Sequence, residues 1–235
     1  EGKPLGLITG LTVTGIIKNQ ADLDDYKKRI GPYDYFPYLG IGDPMYQLKD
    51  EGGGYAYPDF NTIIGNAAPK YYGGINQQFS YKNFDLQFYF TFSHGGKLLW
   101  GDHISSVNFV GSSNASVIML NRYHPGNTSG NQPRVVLNND NGFYYKNQLD
   151  LFSSSYLKLR TITFNYRFNK TPWIEKAGFK NLSVFASATN VFTITKYPGN
   201  DPETSNDPYS VQGGYFDVSN YPTVRAFSAG VKASF

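Results

Sequence analysis

The chain has no cysteine, so it can hold neither a disulfide framework nor a thiolate metal site. An oxidising compartment is neither required nor excluded. It also has no run of about 20 apolar residues, which excludes helical membrane spans. Charge is scarce: Asp, Glu, Lys and Arg make up 17% of the 235 residues, and the net charge is +3. No Lys/Arg run reaches five residues, so the electrostatic footprint of a nucleic-acid binder is missing. Histidine is limited to His94, His103 and His124, whose spacing fits no metal-binding pattern. No Gly-x-Ser-x-Gly elbow is present. The carboxylate pairs Asp24-Asp25 and Asp50-Glu51 are adjacent rather than posed across a substrate. No catalytic residue, metal or cofactor is expected, and the chain does not read as an enzyme. It opens at Glu1-Gly2-Lys3-Pro4 rather than at Met. That reads as a processed start or, in our preference, a segment of something longer.

What is abundant is aromatic: 20 Tyr and 18 Phe, with 25 Gly, at a mean hydropathy of -0.42. Many rings in a chain of weak overall hydropathy suit a sheet that is apolar on one face and wet on the other. The alternation is explicit. Phe84, Leu86, Phe88, Phe90 and Phe92 share one face, and Asp85, Gln87, Tyr89 and Thr91 the other. Ile75, Phe79 and Tyr81 precede them in phase, and Lys82-Asn83 reads as a tight hairpin. Ile162, Phe164, Tyr166 and Phe168 alternate with Thr161, Thr163, Asn165 and Arg167. Leu182, Val184, Ala186 and Ala188 alternate with Ser183, Phe185, Ser187 and Thr189. A last strand over 224–235 carries Phe227, Ala229, Val231, Ala233 and Phe235.

Each of these five strands is long. A tilted strand crossing a bilayer needs about 9–11 residues, whereas strands of soluble proteins usually run about 5–6. Two connections are short, Lys82-Asn83 and 169–181. Three are long: 1–70, 95–155 and 194–223. Short periplasmic turns and long extracellular loops are the pattern of outer-membrane barrels. We therefore expect an all-β fold, the C-terminal strands and long extracellular loops of a large antiparallel transmembrane β-barrel. Its regions are an extracellular loop region at 1–70, a barrel hairpin at 71–94, a second loop region at 95–155, and the last three strands at 156–235 with an extracellular loop at 194–223. A short helix is expected over 20–29, with acidic residues early and basic ones late, and another at about 115–123. Five strands cannot close a barrel, since the smallest have about 8. The open edge would leave backbone groups unpaired in lipid.

Several stretches resemble the SusC/RagA group of TonB-dependent transporters. They are Asn66-Ala67-Ala68-Pro69-Lys70-Tyr71-Tyr72-Gly73-Gly74-Ile75 and Phe79-Ser80-Tyr81-Lys82-Asn83-Phe84-Asp85-Leu86. Further on come Ser153-Ser154-Ser155-Tyr156-Leu157-Lys158-Leu159-Arg160-Thr161-Ile162-Thr163 and Asn190-Val191-Phe192-Thr193-Ile194-Thr195-Lys196-Tyr197-Pro198-Gly199. Asp201-Pro202-Glu203, Tyr221-Pro222-Thr223-Val224-Arg225 and terminal Phe235 complete the match. The resemblance covers nearly the whole chain. It implies an outer-membrane barrel of roughly 22 strands whose lumen holds the protein's own plug. It also implies energy from the TonB complex, a SusD-like surface lipoprotein as lid, and active import of an oligosaccharide or, in some members, an oligopeptide. One feature departs: after Gly42-Asp43, residues 44–54 lack the alternating oxygen ligands of a calcium loop, so no metal site is carried over.

The strand aromatics Phe84, Phe88, Phe92, Phe164 and Tyr166 read as lipid-facing; the plainer alternative is the core of a soluble β-sandwich. Loop aromatics need another account. Trp100, Tyr123, Tyr144, Tyr145, Tyr197, Tyr209 and Tyr215 sit among amides and carboxylates. Flat rings stacking on sugars, with amides on hydroxyls, make a glycan surface. Trp100, Tyr123, Tyr197, Tyr209 and Tyr215 are the candidate substrate contacts, against the alternative that they pack the loops or meet the lid. Arg160, Arg167, Asp85 and Lys232 fall on the polar face, and buried charges there would need partners. Two other readings stay open: a non-transport outer-membrane structural or adhesion protein, and a soluble carbohydrate-binding sandwich.

Overall fold

The alternating stretches form one antiparallel sheet of five strands. They are β1 (Tyr71–Tyr81), β2 (Phe84–His94), β3 (Tyr156–Phe168), β4 (Asn181–Thr195) and β5 (Ala226–Ser234). The computed structural model describes residues 2–31, 36–50, 52, 54–107, 114–135, 147–168, 172–203, 216–218 and 221–235. The sheet order is β5-β4-β3-β2-β1. This strand unit takes in the described residues of 69–96, 153–203 and 221–235; those of 1–68, 97–152 and 204–220 form a loop unit.

Register carries the apolar face across the sheet, interrupted at Gln77 of the edge strand β1. Phe88 lies opposite Gln77 on one side and Ile162 on the other. Ile162 faces Ala188, which faces Phe227. One row over, Phe79, Leu86, Phe164, Ala186 and Ala229 line up the same way. Keeping this face in phase needs one irregularity. Leu157 and Leu159 are odd-numbered, Ile162 and Phe164 even, and strict alternation would put them on opposite faces. The register shifts between Leu159 and Thr161, so an extra residue there restores the phase.

The Lys82-Asn83 hairpin is present, with Lys82 in the left-handed region at φ 52°. Two-residue hairpins demand that conformation, which matches the twist of the flanking strands. The connection 169–181 contains a one-turn helix, Pro172–Lys176, with proline at its first position, where the missing N–H costs nothing. β4 is longer than expected. It runs to Thr195, past Asn190 at φ 52°, so the connection to β5 begins beyond the expected 194.

The apolar face stays open. Phe79 is 56% exposed, Phe227 77% and Val231 65%. Within the described residues of the strand unit no second sheet covers these rings. β1 and β5 each pair on one side only among the described residues.

The loop unit contains short ladders where only irregular loops are expected. Leu7–Thr9 pairs with Ile63–Asn66, Val13–Ile16 with Pro44–Tyr46, and Leu48–Asp50 with Ala56–Pro58. Helix α1 (Gln20–Ile30) begins where Asn19 accepts the Asp22 N–H at 2.9 Å, and ends at Gly31. Gly31 has φ +71°, and an added Cβ would lie 2.0 Å from the Tyr55 ring, so only glycine fits. Leu23, Tyr26 and Ile30 turn inward at helical spacing and meet Leu11, Ile17, Phe36, Leu39 and Tyr46. At about 115–123 the expected helix is a short 3₁₀ turn, Val117–Asn121; the α-helix of this region is α2 (Gly101–Val107) instead.

Tyr26 is the polar keystone of that core. Its hydroxyl donates to the Tyr46 carbonyl at 3.1 Å and accepts the Tyr46 N–H at 2.8 Å. Burial pushes this phenol up to about 12. Tyr26→Phe removes both of these buried hydrogen bonds, at about 0.5–1.5 kcal/mol each. Amide exchange of Met45 and Tyr46 should accelerate, while a surface variant such as Tyr38→Phe should leave it unchanged.

Candidate functional site

The second face of the sheet is polar and internally paired. Ser80 donates to Asp85 at 2.6 Å, and Arg167 meets Asp85 at 3.0 Å. Gln87 donates to Asn76 at 3.0 Å, and the hydroxyls of Ser187 and Ser228 lie 2.6 Å apart. Lys232 sits over the Phe185 ring at 5.3 Å. Side chains that alternate to one face meet their cross-strand neighbours there, so complementary types at paired positions knit the surface.

Toward the Tyr156 end of β3 this face carries a dense charge cluster. Lys158 is 3% exposed, although it is a lysine on a sheet surface. Its Nζ donates to both Asp201 oxygens, at 2.6 and 2.7 Å, and to Glu203. Arg160 grips both Glu203 oxygens, at 2.5 and 2.6 Å, and reaches the Thr91 hydroxyl on β2 at 3.2 Å. The Tyr156 hydroxyl donates to Glu203 at 2.5 Å, and the Thr223 hydroxyl donates to Asp201. Two cations and two carboxylates balance. Burial pushes the Asp201 carboxyl up, but Lys158, Thr223 and the Glu203 N–H outweigh it and hold it below the usual carboxylate range. Arg160 shares the parity of Ile162, and it is the register shift between Leu159 and Thr161 that lets it join the polar face. Its partner Glu203 lies 43 residues away, beyond any local pattern; the Asp201-Pro202-Glu203 triplet is the only sequence signal for it.

The five candidate contact residues divide. Trp100 is half-buried, stacked on His103 at 5.3 Å between centroids, with Phe152 edge-on at 5.7 Å. Tyr123 is 9% exposed and donates its hydroxyl to the Lys18 carbonyl at 3.0 Å. Tyr197 is 5% exposed, with Gly199 against its ring. Trp100 and Tyr123 belong to the loop unit and Tyr197 to the strand unit. Tyr209 and Tyr215 lie outside the described residues, as do Tyr144 and Tyr145. Rings outside the sheet that do reach the surface include Tyr38 at 61% exposed, Tyr55 at 48% and Tyr221 at 83%.

The histidines have local roles. His94 stacks on Tyr71 at 4.9 Å, and His124 Nδ1 accepts the Gly126 N–H at 3.1 Å. His103 is buried, its Nε2 3.8 Å from Asp150, too far for a hydrogen bond. Burial pushes the imidazole down and the Asp150 carboxyl up to about 8, only partly offset by the 2.7 Å hydrogen bond from Asn147. Both shifts favour the neutral form of each group over an ion pair.

No protein-family model matches the chain. Over its whole length it is 29% identical to TonB-dependent receptor P3 of Formosa agariphila, of which it covers 22%. It is 31% identical over 201 residues, 83% of the chain, to TonB-dependent receptor P39 of the same bacterium, covering 19% of that protein. TonB-dependent receptor SusC of Bacteroides thetaiotaomicron is 28% identical over 165 residues, 69% of the chain and 15% of SusC. The chain thus spans between 15% and 22% of the length of these relatives. Among solved structures, the RagAB peptide importer in its open-open and closed-closed states matches 97% of the chain. The TM-scores are 0.69 and 0.70, at 19% identity, over 22% and 23% of those chains.

Proposed function

From the premise that this chain belongs to the SusC/RagA-like TonB-dependent transporters, we propose that it supplies wall strands and outer loops for active import of an oligosaccharide across the bacterial outer membrane. The observation that carries this reading is the two-faced sheet. Five strands of 9 to 15 residues present a broad exposed apolar surface on one side and paired polar groups on the other. Acyl chains suit the first side and a hydrated, plug-filled lumen the second. Residues 1–70, 95–155 and 194–223 are assigned to the outer surface. A SusD-like lipoprotein covers the loops, and the TonB complex acts through parts of the protein outside this chain. The chain performs no covalent chemistry. Half-buried Trp100, with Tyr209 and Tyr215, is assigned to stacking on sugar rings. Tyr123 and Tyr197, whose rings turn inward, are assigned to supporting the loops that carry the site.

A second reading, oligopeptide import by the same mechanism, is favoured by the fold likeness to a peptide importer. The test is uptake by a deletion strain complemented with the full-length gene, using labelled oligosaccharides and oligopeptides in parallel. Loss of oligosaccharide uptake alone supports the first reading. Loss of peptide uptake alone moves the assignment to the second. Unchanged uptake of both contradicts transport and favours a structural or adhesion role.

A further inference from the structure

The connection between β4 and β5 leaves the sheet at Thr195 and returns to it at Ala226. Its two feet, 196–203 and 221–225, are both tied to the polar face, and the ties converge on one buried cation. Lys158 holds Asp201 and Glu203 of the outgoing foot. Asp201 in turn accepts the Thr223 hydroxyl of the returning foot, and Glu203 is shared with Arg160. A separate tie runs from Asn190, whose side chain donates to the Val224 carbonyl at 3.0 Å. The register shift next to Arg160 and the left-handed backbone at Asn190 are local irregularities of this region. Bulges of this kind re-aim side chains, and non-glycine residues hold positive φ only where the surroundings enforce it.

We infer that Lys158 is the positioning residue of a charge clamp that fastens both feet of the β4–β5 connection to the polar face of the sheet. The clamp makes the bases of this connection a fixed part of the wall rather than a flap. A lysine side chain 4% exposed needs carboxylates in contact to offset the cost of its burial, and two carboxylates side by side repel each other unless cations lie between them. Removing the cation takes from Asp201 its lysine partner, while Glu203 keeps Arg160, and because Asp201 joins both feet, both must loosen to let water in. Because the group is buried, salt screens it weakly. What the clamp means for import rests on the transport reading above. The clamp itself rests on local geometry, and its test needs no transport.

The test is amide hydrogen exchange on the full-length protein in detergent micelles, comparing wild type with Lys158→Met. Exchange in both feet should accelerate by on the order of a hundredfold, while 182–188 of β4 stays as protected as in wild type. The variant Lys158→Met/Asp201→Asn, which removes the uncompensated acid and leaves Glu203 paired with Arg160, should recover much of that protection. Thr223→Val provides an independent arm should Lys158→Met fail to assemble. It cuts one strap only, so 223–225 should exchange faster while 196–203 does not. Feet unaffected by Lys158→Met, acceleration spread evenly through β3 and β4, or a neutralised variant no better protected than Lys158→Met would each overturn the clamp. So would equal acceleration of both feet in Thr223→Val.

Discussion

Ile162→Arg should cost the assembled full-length protein about 2–4 kcal/mol, the penalty of a charged side chain on the lipid face near the middle of a spanning strand. Ile162 sits at the centre of the five-stranded sheet, opposite Phe88 and Ala188 on the apolar face. An arginine there has only acyl chains to solvate it. Thr163→Arg, one residue on, should be nearly silent. Thr163 lies between Gln87 and Ser187 on the polar face, where a guanidinium finds water and carbonyl groups. The measurement is urea unfolding in liposomes, read by the mobility difference between folded and heated protein on gels. A large loss at 162 with little at 163 follows from the two faces being lipid and lumen. Equal losses at both positions would mean that both faces are packed.

The second large effect is at Asp150, and it depends on pH. Its carboxyl is pushed from the ordinary 3.8 up to about 8 by burial. In the folded loop unit it therefore keeps its proton through neutral pH, whereas in the unfolded chain it loses it above about 4. The stability tied to this group is complete below that lower value and declines as pH rises toward 8, by about 1.4 kcal/mol for each unit of the interval. Asp150→Asn removes the ionisation and keeps an oxygen to accept from Asn147. The variant should match wild type near pH 4 and exceed it by a few kcal/mol at pH 8. Amide exchange of 147–153, corrected for intrinsic rates, reads the difference. A gain independent of pH would place the effect elsewhere than in the proton.

The strands were legible because their physics is local. A residue and its second neighbour share a face, so Phe84 to Phe92 and Ile162 to Phe168 announce their sheet without reference to anything distant. The run stopped being legible where one residue broke the rule. Asn190 reads as a turn former, yet it sits inside β4 in the left-handed region, and Phe192 and Ile194 continue the apolar face beyond it. The three- and four-residue ladders of the loop unit are too short to show a period. Helix α2 opens on glycine and contains Ser105-Ser106, all weak helix formers, so no propensity marked it. The site was the least legible part. Composition gathers Tyr123 and Tyr197 with the loop aromatics, but whether a ring faces out or in depends on contacts far along the chain, such as Lys18 for Tyr123. The Lys158 cluster likewise joins residues 43 and 45 positions apart.

The most direct test uses the absence of cysteine in this chain. Single cysteines at 162, 163, 164 and 165 of the full-length protein in liposomes, with any other cysteine removed, would carry nitroxide labels. Collisions with dissolved oxygen, which concentrates in lipid, and with a water-soluble nickel chelate are then compared. Labels at 162 and 164 should favour oxygen, and those at 163 and 165 the chelate, alternating residue by residue. No alternation, or labels at 162 and 164 shielded from both reagents, would contradict the lipid-facing sheet.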